Sequence, residues 1–562
     1  MLINFFFSYI FIVCSILGYG FLICSFVNKN YIENNIGYIG LIGIFFLTIY
    51  SYFTSLFVAH TPYHNFFFLG VGMIAFLFHT IYLKKLPKDD FFIFIIIFLI
   101  ILLGLFIYKT HDDFSYYHFQ YSYYLTQYSK VIGIGNFGLG LRTSSSLFYL
   151  NSLFYLPVIE YFTFQITAAL ILGFANLILL IKLKNNLLKN RNNFLLIYNL
   201  LVFAFINIFF YRLAEHGTDK SAQILIFILF SEILLFINFK IHSIKSISRI
   251  FVLISLIISF KAFYLLYGIY FFIIIYHLFA LGNSIKKIFN ILINNPFFLG
   301  FVVLSILIFL HNFLISGCLV YPVHQTCFEN HIWSIKIDEV KNLNNWYEQW
   351  SKGGAGPNFR VDEPLLYIKN FNWVPNWINV YFLNKVSDYL IGLIFLIFIF
   401  FIIFRFQSKL IMNKKTIKKN FFIILTLILI FEWFYNHPAL RYGGYCLISS
   451  IIFIYFSIYL EKYKLKNFIF TKRVYLIIAL VFGIFISRNV NRINNEINIY
   501  EYKPLKVFAF HIDKKVFNLT NNLSSLINAY NLCDNSDQNC KLNKNNKIFV
   551  DKLNGMYVFY LK

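Results

Sequence analysis

The stretch FFIFIIIFLIILLGLFIY (Phe91–Tyr108) runs directly into KTHDDFSYYHF (Lys109–Phe119). Eighteen apolar residues in a row approach the ~20 that an α-helix needs to cross a lipid bilayer, and the run ends on His111, Asp112 and Asp113. Ionisable groups at the mouth of a membrane helix are costly and mark a functional site by default. The aromatic, polar residues that follow, Tyr116, Tyr117 and His118, fit a wet pocket at the membrane surface. The stretch therefore predicts a membrane protein with its chemistry at one bilayer face.

Composition agrees. Of 562 residues, 59% are hydrophobic and 13% charged, with 74 Phe and 41 Tyr. That balance excludes an ordinary soluble domain and fits a bundle of helices, because lipid offers the backbone no partner outside its own helix. About fourteen hydrophobic segments are expected, near 3–27, 37–59, 66–83, 91–108, 161–181, 194–213, 221–239, 250–260, 263–281, 296–316, 386–404, 421–435, 442–460 and 474–487. These predict an all-α polytopic membrane protein of 12–14 spans. The abbreviated pair 250–260 and 263–281, around Lys261, reads as a hairpin turning within the membrane or near its outer face.

The net charge of +24 would suggest nucleic acid in a soluble protein. Here its distribution matters more than its sum, because one set of short loops is almost purely basic, and no nucleic-acid partner is expected. Lys84, Lys85, Lys88, Lys182, Lys184, Lys189, Arg191, Lys240, Lys245, Arg249, Lys286 and Lys287 fall in one set of connections. Arg405, Lys409, Lys414, Lys415, Lys418, Lys419, Lys462, Lys464, Lys466, Lys472 and Arg473 continue the same set. Short, almost purely basic loops are the cytoplasmic signature. The loops near 60–65, 109–145, 214–220, 317–385 and 436–441, both termini and the tail from 488 then fall outside. The first segment lacks the basic start and small-residue cleavage site of a signal peptide.

Cysteine usage is consistent with that orientation. Cys14, Cys24 and Cys446 lie in apolar segments and read as inert buried thiols. Cys318 with Cys327 and Cys533 with Cys540 fall on the external side, where close pairs are expected to be disulfides. Neither spacing matches a structural zinc knuckle, although His324 is near the first pair.

The candidate chemistry lies in four external elements. The first, 109–160, carries His111, Asp112 and Asp113, then Tyr117 and His118. A turn with Gly133, Gly135, Gly138, Gly140 and Arg142 follows, and then Thr143–Ser146, a helix N-cap signal. Its two apolar stretches are expected to be helices lying in the interface. The glycine turn lacks the strand and the Lys-Ser/Thr of a nucleotide loop. The second element is Glu215-His216-Gly217-Thr218-Asp219-Lys220, where Thr218 and Asp219 either cap the next helix, complete a site with the first aspartates, or both. The third is His437–Gly444, in which Arg441 is shaped for phosphate or snorkels to headgroups. Lys261, deep in its hairpin, needs an anionic partner or water. The fourth, 317–385, holds Trp333, Trp346, Trp350, Trp373 and Trp377, suited to stacking on sugars or to seating in the interface. The chain then divides into 1–108 and 161–316 (membrane helices), 386–487 (membrane helices), the external 109–160 and 317–385, and 488–562, a small external α+β domain.

This set of features resembles the GT-C type of membrane glycosyltransferase: a carboxylate motif in an external loop, interfacial helices after it, many uneven helices and an outer-face arginine near the end. More closely, His111-Asp112-Asp113-Phe114 with Tyr117-His118, the Arg142–Pro157 segment, Gly217-Thr218-Asp219 and the Cys318–Cys327 loop resemble an uncharacterised group of bacterial multi-pass membrane proteins over most of the chain. Two features depart from the GT-C pattern: four helices precede the acidic loop, and its carboxylates are adjacent. The resemblance implies transfer of a sugar from a polyprenyl-phosphate carrier to a glycan, lipid or protein acceptor on the periplasmic face of a bacterial inner membrane. It implies Asp112 or Asp113 as the base that takes the acceptor proton, on the argument that a desolvated carboxylate is a stronger base. Arg441 and Lys261, with Arg142 behind them, would stabilise the departing phosphate. His111, Tyr117, His118, Glu215, His216 and Asp219 would bind substrate, and Asp113 with Asp219 would be the ligands of any Mg2+ or Mn2+. A transporter or flippase for lipid-linked glycans, or an O-antigen-type polymerase, is the alternative.

Overall fold

The computed structural model describes residues 2–27, 35–83, 87–188, 194–238, 244–356, 359–406, 408–410, 419–464, 466–504, 514–534 and 548–561. The N-terminal helices are α1 (Leu2–Phe26), α2 (Ile36–Thr54), α3 (Pro62–Leu77, continued by a wider turn to Tyr82) and α4 (Lys88–Leu102). The acidic loop folds into α5 (Phe119–Gln127) and α6 (Ser146–Leu153). The central helices are α7 (Ile166–Leu188), α8 (Phe194–Ile208), α9 (Gly217–Asn238), α10 (Ile244–Phe260), α11 (Phe271–Ala280), α12 (Ile285–Ile293) and α13 (Pro296–Ser316). The segment after α13 contains α14 (Ile337–Lys352), α15 (Pro364–Ile368) and α16 (Val374–Trp377). The last apolar helices are α17 (Ser387–Arg405), α18 (Asn420–Asn436), α19 (Gly444–Glu461) and α20 (Asn467–Tyr500). After α20 come α21 (Asn518–Asp534) and an antiparallel hairpin of β3 (Ile548–Leu553) and β4 (Met556–Leu561). A two-residue pairing of β1 (Lys409–Leu410) with β2 (Tyr463–Lys464) links the loops after α17 and α19.

Among the described residues, ten helices are long and apolar enough to cross a membrane, so the chain is a helical, polytopic membrane protein. Two more apolar helices, α8 and α18, are shorter. Helix starts follow capping chemistry. Asn35 and Asn295 accept backbone N–H bonds at the starts of α2 and α13, and Thr61 precedes Pro62 at the start of α3. Helices α7, α8, α9 and α10 form the centre and are almost entirely buried. Around them, α13, α17, α18 and α20 turn rows of Phe, Ile and Leu outward, the surface a bilayer covers. Small residues let α1 and α3 approach closely: a Cβ on Gly18 would collide with the backbone oxygen of Gly72.

Several boundaries differ from the sequence reading. Helix α20 does not stop near 487 but continues to Tyr500, so residues 488–500 are its last turns and not the start of a tail. The segment expected at 386–404 begins at Val374, because a wide helical turn (Ile378–Val386) joins α16 to α17. The expected interfacial helices also differ: every residue of α6 is buried within the protein, and α5 is buried along most of its length. Helix α6 packs on α2, α5 and α7, and α21 covers α5. Polar groups of these two helices are bonded within the protein, for example Tyr121 to Tyr149, and Asn151, which accepts from Thr167 of α7. The C-terminal hairpin docks on the same element through Ile132 and Val558. Much of the basic set (Lys84, Lys85, Lys189, Arg191, Lys240, Lys414, Lys415 and Lys418) lies outside the described residues.

Candidate functional site

The acidic motif follows a short 3₁₀ turn that ends α4. The backbone N–H of His111 bonds to the carbonyl of Ala214, tying the acidic motif to the segment that precedes α9. The N–H of Lys109 bonds to Glu496 on α20. After Asp113 the chain makes a wide helical turn, Phe114–His118, which brings the ring of His118 alongside His111 with centroids 5.3 Å apart. Gly217 opens α9 with φ +52°, a conformation that favours glycine, and a Cβ there would lie 3.2 Å from His111 and 3.3 Å from His118. Asp219 enters from the first turn of α9, Lys261 from the residue after α10, and Arg441 from a 3₁₀ turn before α19.

These four charged groups meet. The Arg441 Nε donates to Asp219 Oδ2 at 2.9 Å, and an Arg441 Nη donates to Asp113 Oδ2 at 3.2 Å. Lys261 Nζ donates to the other Asp219 oxygen at 2.9 Å and faces the Tyr442 ring at 4.7 Å. Residues 106 apart in sequence (219 − 113) are thus bridged by one guanidinium. Arg441 is held from behind, since its own carbonyl accepts bonds from Tyr264 and Gln223. Its turn is fixed by Trp377 donating to Pro438, Trp433 donating to Ala439, and the N–H of Leu440 donating to Tyr381. A cavity of about 170 Å³ opens on this cluster, lined among others by His111, Asp112, Glu215, Asp219, Lys220 and Arg441.

Electrostatics differentiate the groups. Burial pushes the Asp113 carboxyl up, but Arg441, then His111 and His118, outweigh it, and the net lies below the usual carboxylate range. Asp113 is therefore ionised at rest and is not the strengthened base that desolvation alone would make. Burial lowers His111 and brings His118 down to about 3. Burial also carries the Tyr117 phenol well above its ordinary value. Asp112, next to Asp113, is exposed and lines the cavity.

Other candidates are placed differently. Glu215 lines the cavity, but its carboxylate pairs with Arg492 at 2.6 Å and with Arg212 at 3.6 Å. His216 is buried, donates to the Phe210 carbonyl at 2.6 Å, and is held by burial at about 3. Arg142 is bound away from the cluster, to Glu339 at 2.6 Å, the Tyr321 hydroxyl and the Gly135 carbonyl, and so joins the glycine turn to the Trp-rich segment. Of the five tryptophans in that segment, Trp333, Trp373 and Trp377 are buried. Trp350 lies against Arg441, with Trp346 stacked beside it and more exposed. Cys318 and Cys327 form a disulfide, whereas the Cys533 side chain and Cys540 lie outside the described residues.

The pair named for a hard metal, Asp113 with Asp219, does not fit one. Both Asp219 oxygens already hold cations, so a Mg2+ or Mn2+ ion would have to displace Lys261 and Arg441. Sequence reasoning missed Arg492 and Glu496, whose i,i+4 spacing was readable but whose helix was taken to end earlier. It also missed Lys109, Lys220 and Tyr445 as cavity residues.

A family model described as "Domain of unknown function (DUF8201)" matches residues 1–448, a span that includes Asp113, Asp219, Lys261 and Arg441. No curated protein and no solved structure matches the chain.

Proposed function

We propose that this chain, which belongs to the DUF8201 family, is a glycosyltransferase that moves a sugar from a polyprenyl-phosphate carrier to an acceptor hydroxyl. In this reading it crosses a bacterial inner membrane twelve to fourteen times, with its short basic loops in the cytoplasm and both termini in the periplasm. The N-terminal end of α9, the C-terminal end of α10 and the N-terminal end of α19 then all lie at the periplasmic face, where the charged cluster and its cavity open. Residues 514–534 and 548–561, a helix and a hairpin, then lie over the same face.

The observation that carries the proposal is the Arg441 guanidinium shared by two carboxylates beside an accessible cavity. Arginine is the side chain best matched to phosphate. In the resting protein it also holds down the basicity of Asp113. A carrier phosphate that takes up Arg441 cancels that effect, so Asp113 becomes a better base when the donor is in place. The acceptor oxygen then attacks the anomeric carbon and its proton passes to Asp113. The bond from that carbon to the phosphate oxygen breaks, and the departing phosphate keeps the electron pair, stabilised by Arg441 and Lys261. Asp112, exposed on the rim, is the second candidate for the base. Trp346 and Trp350 offer stacking faces for a sugar beside Arg441.

The test supplies purified protein in liposomes with a labelled polyprenyl-phosphate sugar and a panel of acceptors. Transfer of label to a water-soluble or lipid acceptor, lost in Asp113→Asn or Asp112→Asn, is expected. Full transfer in both single variants rules out the base assignment, and movement of intact labelled lipid across the bilayer without transfer favours a transporter.

A further inference from the structure

We propose that His111, Asp113 and His118 form a binding site for one divalent transition-metal ion, a site distinct from the Asp113–Asp219 pair. One ring nitrogen of each histidine and one oxygen of Asp113 lie within 4.8 Å of one another. His111 Nδ1 lies 3.6 Å from Asp113 Oδ2 and accepts the backbone N–H of Asp113 at 3.1 Å, a bond that an ion on Nδ1 would replace. Ligands on a single ion with bonds of ~2.0–2.2 Å sit roughly 3–3.5 Å apart, so small rotations of these side chains close the set.

The second observation is independent of that clustering. His118 is 2% exposed, and its Nε2 is buried with no hydrogen-bond partner. Buried polar atoms are normally satisfied, and an orphan in a native site calls for a ligand. The backbone serves the same end. The wide turn Phe114–His118 swings the His118 ring back over His111, as single wide turns in helices do at functional sites. Glycine at 217 leaves the space that a side chain would take from both rings.

Ligand chemistry sets the class of ion. Two imidazoles and one carboxylate suit Zn2+, Co2+, Fe2+ or Mn2+, whereas Mg2+ and Ca2+ prefer all-oxygen sites. Arg441 takes one lone-pair direction of Asp113 and leaves others for a metal. When bound, the ion would supply a Lewis-acidic charge near Arg441, and Asp113, then its ligand, would leave the acceptor proton to Asp112. The inference does not depend on glycosyl transfer, and its test reads the metal itself.

The full-length protein, purified in detergent with a tag free of histidine and stripped with a chelator, is titrated with Co2+ and then with Zn2+. One equivalent of Co2+ per chain is expected, with visible ligand-field absorption that Zn2+ removes and millimolar Mg2+ does not. His118→Phe fills the same buried space and gives up no hydrogen bond at Nε2. It is expected to keep the unfolding midpoint while weakening Co2+ binding at least a hundredfold, and Zn2+ is expected to raise the midpoint of the parent protein only. His111→Gln provides a second ligand deletion should His118→Phe fail to fold. Absence of stoichiometric Co2+ uptake by the parent protein overturns the site, as does unchanged affinity in the folded ligand variants.

Discussion

Helix α9 carries two carboxylates about 20 Å apart along its axis, and each is held between a lysine and an arginine. At one end, Asp219 binds Lys261 and Arg441. At the other, Glu232 binds Lys182 on α7 and Arg249 on α10, with Tyr38 of α2 donating at 2.6 Å. Glu232 is completely buried and its partners close around it, with both cations also facing the Tyr38 ring. Asp219 is buried as well, but its arginine is shared with Asp113 and reaches a cavity. Buried charge alone therefore does not distinguish a site from a fastening. The distinguishing feature is a cation that is only partly committed and has room in front of it.

The largest effects should separate the two ends. Asp113→Asn is expected to lower transfer roughly 10²–10⁴-fold, the usual worth of a general base, with little change in unfolding midpoint because Arg441 keeps Asp219. Glu232→Gln should do the reverse. It strands two half-buried cations and is expected to destabilise the fold by about 3 kcal/mol, with transfer per folded molecule unchanged. Denaturant melts beside a transfer assay read both. A Glu232→Gln protein that folds normally yet transfers nothing breaks the distinction.

Next comes Arg441→Lys, which retains the charge and removes the fork. A single ammonium cannot span Asp113 and Asp219 as the Nε and Nη groups do. Transfer is expected to fall about ten- to a hundredfold, with rescue of binding at high donor concentration if phosphate contact is what was lost. The matching change at the sealed end, Arg249→Lys, should leave transfer alone. Equal loss in both variants would mean that the fork serves only to hold helices together.

Much of this was readable in the sequence, and the gaps have physical causes. A run such as Pro296–Ser316 declares itself because lipid demands a continuous apolar surface, whereas Phe91–Tyr108 folds as a shorter helix that ends at Leu102 and a 3₁₀ turn to Leu105. The acidic motif stood out because charge beside such a run is costly. What sequence could not show was partnership. Nothing local in Arg142 says that Glu339 holds it away from the cluster while Arg441 is left facing a cavity. Helix α20 was read too short because its last turns, Arg488–Tyr500, are polar, although a helix that leaves the bilayer needs no apolar residues to continue. Helix α6 was expected at the interface because amphipathic aromatic stretches look alike whether lipid or protein covers them. The rationale for Asp113 as base counted burial and omitted Arg441, which reverses the outcome.

Acid should weaken the fold through its buried histidines, of which His118 and His216 lie near the open end. Burial holds His60, His118 and His216 at about 3, below the ~6.5 of an unfolded histidine. Below pH 6.5 the unfolded chain takes up protons that the folded chain refuses, so stability is complete above that pH and falls on acidification toward 3. The slope is about 1.4 kcal/mol per pH unit for each histidine. Unfolding measured in chelator at pH 7.5 and 5.5 should show this loss, and His118→Phe should remove roughly one histidine's share of it. An identical pH dependence in that variant would show that His118 protonates freely in the folded state.

The smallest effect belongs to the aromatic shelf, where the same contrast between open and sealed recurs. Trp373 is fully buried, with the Lys352 ammonium facing its ring at 5.3 Å, and Trp373→Ala is expected to cost about 3–5 kcal/mol of stability. Trp346 is more than a third exposed and stacks on Trp350, which in turn lies against Arg441. Trp346→Ala should leave the fold intact and remove about 1 kcal/mol of stacking, roughly a fivefold rise in KM for the sugar-bearing substrate with kcat nearly constant. A fall in kcat with KM unchanged would place Trp346 at the reacting centre instead of on a binding shelf. No change in either constant would assign it to seating the loop in the bilayer interface.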